Sequence, residues 1–268
     1  MLGSATVYSG VVILAAGIAL AVKPIRRIGV TTRLRGLLVA AAGMVVAAVG
    51  LLLPVSESRV SRPEMRLDEF APAWQFREVH SIRVAAPPAQ VFDAIGRVRA
   101  DEILLFRTLT WIRRGGRQLP PSILNAGTNE SLIDVATHAG FLKLADDPPR
   151  ELVVGTVIVA PPGTRGTLTP QVFQKPLPPG FVLATMNFLV TADGTDGSIV
   201  STETRVFANS PSVRWRFAAY WRIIYPGSAI IRRMWLRAIQ RRATNRESVS
   251  AARRSSSSAS RRTCPGIA

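Results

Sequence analysis

The chain has 268 residues, enough for one or two domains, and 47% of them are hydrophobic. Its net charge is +17. The favoured explanation is a coding bias toward arginine together with the basic residues that flank membrane spans. The alternative is an anionic partner, such as nucleic acid or acidic lipid. The one cysteine, Cys264, excludes an intramolecular disulfide and a cysteine-cluster metal site. No HExxH, CxxC, GxSxG, P-loop or GxGxxG motif is present, so we expect no cofactor and no metal.

Two uncharged apolar runs lie near the N-terminus, at residues 5–22 and 36–55. Each is long enough to cross a hydrocarbon core of about 30 Å. Two such runs in tandem favour a transmembrane hairpin over residues 1–55 rather than buried helices of a soluble protein. A cleaved signal peptide is disfavoured because no Lys or Arg precedes the first run.

The loop between the two runs predicts the orientation of the hairpin. It carries Lys23, Arg26, Arg27, Arg33 and Arg35, and such basic loops stay in the cytoplasm. A multi-pass protein of the cell membrane follows, with the large domain on the extracytoplasmic side. Further arginines after the second run argue for the opposite orientation.

Three glycines of the second run recur every seven residues and share one helix face: Gly36, Gly43 and Gly50. Small residues allow helix backbones to approach closely in lipid. We therefore expect the hairpin to pack on itself. A homo-oligomer contact through the same face is the alternative.

The soluble part opens with a strand followed by a helix. Apolar and polar residues alternate over 76–84, as in a half-buried strand. Two prolines end the strand, and Val91, Phe92 and Ile95 then follow at helical spacing. Before this strand, the charged and Pro-containing residues 56–73 predict a linker with little structure of its own.

The segment IRVAAPPAQVFDAI, residues 82–95, resembles the opening of the SRPBCC or START-like superfamily, the helix-grip proteins that include polyketide cyclase and Bet v 1-like members. The resemblance covers residues 74–242 and would make the chain a membrane-anchored bacterial member. It implies an α+β fold in which a curved antiparallel sheet wraps a long C-terminal helix. It also implies an apolar cavity between sheet and helix, and it brings no catalytic residue with it.

The middle of the chain predicts further strands and one helix. The β-forming residues 108–112 predict a strand that Gly115 and Gly116 end. The second half of residues 122–140 predicts a short helix with Gly140 as its stop. The remaining predictions are strands at 141–145 and 151–160, a lid-like or mobile loop at 161–180, and a hairpin at 181–191 and 198–208.

A long amphipathic helix follows the hairpin. Ser210 is suited to cap it, Pro211 to begin it, and Pro226 to break or kink it. The helix resumes over residues 228–242, and the Ser- and Arg-rich residues 243–268 are predicted to be disordered. On its polar face we place Arg232, Arg233, Arg237, Arg241 and Arg242.

Few residues are candidates for chemistry. His80 and Glu203 form the one acid–base pair that neighbouring strands would allow, although solvated or structurally bonded side chains are the simpler interpretation. Glu203 and Arg205 share one sheet face. If that face lines the cavity, Arg205 would hold an acidic head group and Glu203 would orient it; if it faces solvent, they form a weak surface pair.

The resemblance leads us to expect a binding protein for a small hydrophobic or amphipathic ligand, such as a lipid. Its candidate ligand-binding residues are Phe106, Trp111, Met186, Phe188, Glu203, Arg205, Tyr220 and Trp221. A cyclase- or hydratase-like enzyme is the alternative on the same fold. A third possibility is an interaction protein whose basic last helix docks on an anionic membrane or partner. Nucleic-acid binding is disfavoured for a domain outside the membrane.

Overall fold

Two apolar helices, a five-stranded sheet and a long C-terminal helix make up the structure, a computed structural model that describes residues 2–25, 29–118, 120, 122–164 and 169–260. The helices are α1 (Leu2–Val22), α2 (Arg33–Leu52), α3 (Leu67–Phe70), α4 (Pro88–Ile95), α5 (Phe106–Arg113), α6 (Leu132–His138) and α7 (Pro211–Ser260). The strands are β1 (Ser58–Arg59), β2 (Ala73–Trp74), β3 (Phe76–Val84), β4 (Leu142–Asp147), β5 (Glu151–Val159), β6 (Val182–Ala192) and β7 (Ser198–Ala208).

The large sheet is antiparallel throughout, with the strand order β3-β7-β6-β5-β4. The predicted hairpin β6–β7 pairs over its full length, and its turn contains Gly194 at a φ of 77°. The predicted helix before β4 is α6, which Ser131 caps at its start. Because the helices pack against an antiparallel sheet and do not alternate with parallel strands, the predicted α+β class is confirmed.

One apolar stripe holds α7 across a face of this sheet, as the helix-grip arrangement requires. Trp235, Leu236 and Ile239 are almost completely buried and belong to the same core cluster as Phe188 and Val200 of the sheet. The rings of Trp235 and Phe188 meet edge to face with centroids 4.9 Å apart. Burial of each side chain of this size contributes about 1.5–3 kcal/mol, which fixes α7 against the strands.

Residues 108–112 form part of helix α5, so the predicted strand is wrong. Phe106 and Thr110, one turn apart, are the buried residues of this helix. The Thr110 hydroxyl donates to the Phe106 carbonyl at 2.8 Å, and the predicted glycine stop follows at Gly115 and Gly116. Tertiary contacts at helical spacing therefore outweigh the local β-propensity of the segment.

The segment predicted as a linker packs on the sheet instead. It contains α3, in which Leu67 is fully buried and Asp68 is 5% exposed. The carboxylate of Glu151 on β5 accepts hydrogen bonds from the backbone amides of Arg66 and Leu67, at 2.7 and 3.1 Å. Segment composition does not reveal these partners, because they lie more than eighty residues away in sequence.

Helices α1 and α2 pack as an antiparallel pair along their glycines. Gly36, Gly43 and Gly50 are buried, and an added side-chain carbon would collide with backbone atoms of α1 at each. The predicted packing of the hairpin on itself is thus present in the structure. Both helices are long and apolar enough to cross a membrane, and most of their residues are exposed, which supports membrane association.

The hairpin also contacts α7. The guanidinium of Arg222 donates to the carbonyls of Leu51 and Leu53 at the end of α2, where helix carbonyls lack intrahelical partners. The Tyr8 hydroxyl donates to the carbonyl of Ile223 at 2.6 Å. These bonds attach the apolar pair to the first third of α7.

Helix α7 is longer than the sequence predicts. It contains Pro226 and extends to Ser260, although disorder is predicted from residue 243. Ala243 is fully buried, and its carbonyl accepts a hydrogen bond from Gln90 of α4 at 2.6 Å, so packing continues the helix beyond the predicted end. Residues 165–168 of the predicted lid-like loop, Arg26 and Arg27 of the basic loop, and residues 261–268 with Cys264 lie outside the described residues.

Replacing Gly43 with Leu is expected to lower the free energy of unfolding by about 1–3 kcal/mol, because the added side chain forces the two backbones apart. Thermal unfolding of the full chain in detergent micelles measures the effect. Ala42→Leu, on the exposed side of the same helix turn, is the matched control. Equal midpoints for the two variants would contradict the packing role of the glycines.

Candidate ligand-binding cavity

Strand alternation sends the side chains of β7 to two sides of the sheet. Thr204 and Val206 face α7, whereas Glu203 and Arg205 face the opposite side. Residues 202–206 are nevertheless all buried. Both faces of this strand are therefore covered, one by α7 and the other by the segment that contains α3.

A cavity of about 260 Å³ lies between α5, α7 and the α7-facing side of the sheet. Its size is close to the lower end of the range for small-molecule sites, about 300–1,000 Å³. Apolar side chains dominate its wall, among them Phe106, Ile123, Met186, Phe217, Trp221 and Ile231. Such a wall favours ligands that bury hydrocarbon or aromatic surface.

Two arginines are the charged residues of this wall. Arg113 of α5 donates through Nε and Nη2 to the Tyr220 hydroxyl, at 3.0 and 2.5 Å. Arg232 of α7 contacts the sulfur of Met186 and lies 5.8 Å from the centroid of the Trp235 ring. Neither forms an ion pair with a carboxylate among the described residues.

The electrostatic surroundings of Arg232 are unfavourable for its charge. Burial lowers the pKa of Arg232, the nearby charge of Glu78 raises it, and that of Arg113 lowers it further. The Glu78 carboxylate is already occupied, since it binds His80 Nε2 at 2.9 Å and accepts from the Ser228 hydroxyl at 2.8 Å. The cavity wall therefore has an excess of positive charge.

Four of the predicted ligand-binding residues line this cavity: Phe106, Met186, Tyr220 and Trp221. Phe188 instead lies in the solid core against Trp235. Trp111 is 53% exposed on the outer side of α5. The remaining two, Glu203 and Arg205, point away from the cavity, because their strand positions alternate with those that line it.

His80 and Glu203 cannot form the acid–base pair that the sequence allows. The register pairs His80 with Thr202, so Glu203 projects from the opposite side of the sheet. The partner of His80 is Glu78, two residues earlier on the same strand face. Through Ser228, Glu78 also ties β3 to α7, which gives this polar chain a structural role.

Glu203 and Arg205 belong to a buried ion network on the far side of the sheet. Arg205 donates to Asp68 at 2.7 Å and to Glu203 at 2.6 Å, and Arg77 forms two bonds to Glu203 at 2.7 and 2.9 Å. The Arg205 guanidinium also stacks 4.2 Å from the Trp74 ring centroid. Its charge is therefore compensated within the protein rather than held ready for an acidic head group.

The network holds both of its carboxylates in the charged form. Burial by itself raises the pKa of Asp68, but hydrogen bonds from the amides of Glu64 and Met65 and from Arg205 lower it below its usual value. Burial likewise raises the pKa of Glu203, and Arg77 and Arg205 outweigh that effect and lower it. The charges consequently stabilise the docking of α3 on the sheet.

A second cavity, of about 470 Å³, lies beside this network, between the segment before β3 and residues 173–177. Its charged lining residues include Arg205, which Asp68 and Glu203 already neutralise. The cavity against α7 is the better candidate site, because neither of its arginines has a carboxylate partner among the described residues, whereas Arg205 has two. Among the described residues, no group of three or more His, Cys, Asp and Glu side chains is placed to hold a metal ion.

Arg232 and Arg113 are the site residues that sequence reasoning missed. The sequence placed Arg232 on the polar face of α7, but Ser228, Ile231 and Trp235 line the same cavity at helical spacing from it. A strand is predicted for the segment before Arg113, so the sequence does not place this arginine on a helix that faces the cavity. The helical spacing of Ser228, Arg232 and Trp235 is the sequence signal that could have identified Arg232 as a cavity residue.

Comparisons with known proteins give a weak likeness. No family model and no curated protein sequence matches this chain. Protein MLL2253 from Mesorhizobium loti is a similar solved structure, with 14% identity, coverage of 63% of this chain and 98% of that chain, and a TM-score of 0.30. CalU16 from Micromonospora echinospora has 18% identity, coverage of 71% of this chain and 92% of that chain, and a TM-score of 0.25. The Zhui aromatase/cyclase from a Streptomyces species has 12% identity, coverage of 64% of this chain and 94% of that chain, and a TM-score of 0.25. Similarities of this size identify neither a family nor a function.

Replacing Asp68 with Asn is expected to lower the free energy of unfolding by about 3 kcal/mol, since the buried Arg205 loses a charged partner. Chemical denaturation followed by tryptophan fluorescence measures it. Glu69→Gln removes a neighbouring but exposed ion pair with Arg66 and should change stability by less than about 1 kcal/mol. An equally small loss in both variants would contradict a structural role for the network.

The same carboxylates predict a loss of stability in acid. The pKa values of Asp68 and Glu203 are lowered in the folded state. The two carboxylates therefore contribute their full stabilisation of the fold at any pH above their pKa values in the unfolded chain, which are about 4. This stabilisation is lost as the pH falls from the unfolded-state pKa values through the lower folded-state pKa values. Denaturation between neutral pH and about pH 2 should show a shallower decline for Asp68→Asn than for the wild type, and parallel curves would argue against this linkage.

Proposed function

We propose that this protein binds a small hydrophobic or amphipathic molecule in the cavity between α7 and the sheet. The observation that carries the proposal is the wall itself: apolar and aromatic side chains from the sheet, α5 and α7 surround a space of about 260 Å³. Each methylene group that a ligand buries there would contribute about 0.8 kcal/mol. Affinity would therefore come mainly from the apolar body of the ligand.

We further propose that α1 and α2 anchor this domain in the cell membrane as a two-span hairpin. Their length and hydropathy support this. The basic loop that includes Lys23 and Arg35 supports a cytoplasmic position for the connection and an extracytoplasmic position for the domain.

The position of the hairpin favours a ligand that comes from the bilayer. Trp221 lines the cavity, and the next residue, Arg222, binds the end of α2. One short stretch of α7 thus adjoins both the apolar helices and the cavity. A lipid or lipid-like molecule is the ligand class that this arrangement fits best.

Filling the cavity should abolish binding. Ala184 of β6 lines the cavity, so Ala184→Phe is expected to weaken binding of the neutral fluorescent probe N-phenylnaphthylamine by at least about tenfold, or about 1.4 kcal/mol. Fluorescence titration of the full chain in detergent, corrected for probe in empty micelles, measures it. Ala192→Phe, exposed on the same strand, is the control; saturable binding that is equal in both variants would refute the cavity as the site.

The membrane proposal is tested with the full chain in cells. We expect it to remain in the membrane fraction after alkaline carbonate extraction, and Cys264 to react with an impermeant thiol reagent in intact cells. A chain that carbonate releases would contradict two membrane spans. A Cys264 that reacts only after the cells are opened would reverse the proposed orientation.

A further inference from the structure

The positive charge inside the apolar cavity points to the chemistry of one end of the ligand. Arg232 extends from α7 into a wall of Met186, Ile231 and Trp235. A partly buried guanidinium without a carboxylate partner among the described residues is costly in such surroundings. By contrast, Arg205 on the other side of the sheet has two carboxylate partners within 2.7 Å.

Electrostatics within the cavity adds to this contrast. Arg113 and Arg232 both line it, and the charge of Arg113 disfavours that of Arg232. The nearest compensating charge, Glu78, is already engaged by His80 and Ser228. An anion between the two arginines would relieve their mutual repulsion and pair with both.

An independent observation concerns Trp235, one turn after Arg232. Its indole nitrogen is buried and has no hydrogen-bond partner among the described residues, although its side chain lines the same cavity. Buried donors are nearly always satisfied in folded proteins. An acceptor oxygen on a bound molecule would satisfy this donor together with Arg232.

We propose that the ligand is an acidic amphiphile whose anionic group, a carboxylate or a phosphate, binds Arg232, with Arg113 and the Trp235 indole as supporting donors. This inference rests on the proposed binding function and specifies its ligand class. Arg232 holds the acidic end, and the aromatic and aliphatic wall toward Trp221 and Phe217 holds the apolar body. Neutral lipids and free hydrocarbons would bind more weakly, because they leave the cation unpaired.

Two fluorescent probes that differ by one acidic group test the proposal. Anilinonaphthalene sulfonate carries a sulfonate, and N-phenylnaphthylamine is the same skeleton without it. For the wild-type full chain in detergent, we expect the sulfonate to bind at least about tenfold more tightly. Arg232→Gln should abolish this preference, because the sulfonate loses its cationic partner, and Arg232→Lys should restore part of it.

Arg233→Gln is the matched control, because Arg233 is exposed on the next position of α7. It should leave the preference intact. Equal binding of both probes by the wild type, or equal weakening of both by Arg232→Gln, would overturn the acidic ligand class. Absence of saturable binding for both probes would instead overturn the proposed cavity function, so the two failures are distinguishable.

Thermal unfolding checks that Arg232→Gln remains folded. Since this variant removes a partly buried charge that has no carboxylate partner among the described residues, its midpoint should equal or exceed that of the wild type. A clear fall in the midpoint would overturn the premise that Arg232 is uncompensated. Competition of decanoate against decyl phosphate for the sulfonate probe then distinguishes a carboxylate ligand from a phosphate ligand.

Discussion

The central strand β7 is covered on both faces, and the rest of the domain depends on how each cover is held. On one face, Trp235, Leu236 and Ile239 of α7 pack on the sheet through apolar contact. On the other, α3 is held by the ion pair of Asp68 with Arg205. The first cover is thus fixed by apolar contact and the second by directional, charge-assisted bonds, and a cavity lies beside each of them.

Two arginines, one on each side of the sheet, have opposite electrostatic surroundings. Arg205 is surrounded by carboxylates and an aromatic ring, so its charge serves the attachment of α3. Arg232 lies among a thioether, an indole and aliphatic groups. The same side chain is therefore compensated by carboxylates at one position and lacks a carboxylate partner among the described residues at the other, which supports the proposed anionic ligand.

Helix α7 connects the apolar hairpin, the cavity and the sheet. Arg222 binds the last carbonyls of α2, Trp221 lines the cavity, and Trp235 fills the core. Because these residues share one continuous helix, the hairpin is fixed relative to the cavity. The proposed ligand site therefore adjoins two helices that are long and apolar enough to cross a membrane, which supports the proposal of a ligand from the bilayer.

The sequence by itself determined the elements whose signals are local: the two apolar runs, the glycine spacing of α2, the β6–β7 hairpin and the amphipathic start of α7. Only the tertiary structure decided which face each residue occupies. The register that sets His80 opposite Thr202 separates it from Glu203, and the docking of Asp68 on Arg205 spans 137 residues. Composition and periodicity do not encode such pairings, because hydrogen bonds and packing between distant segments select them.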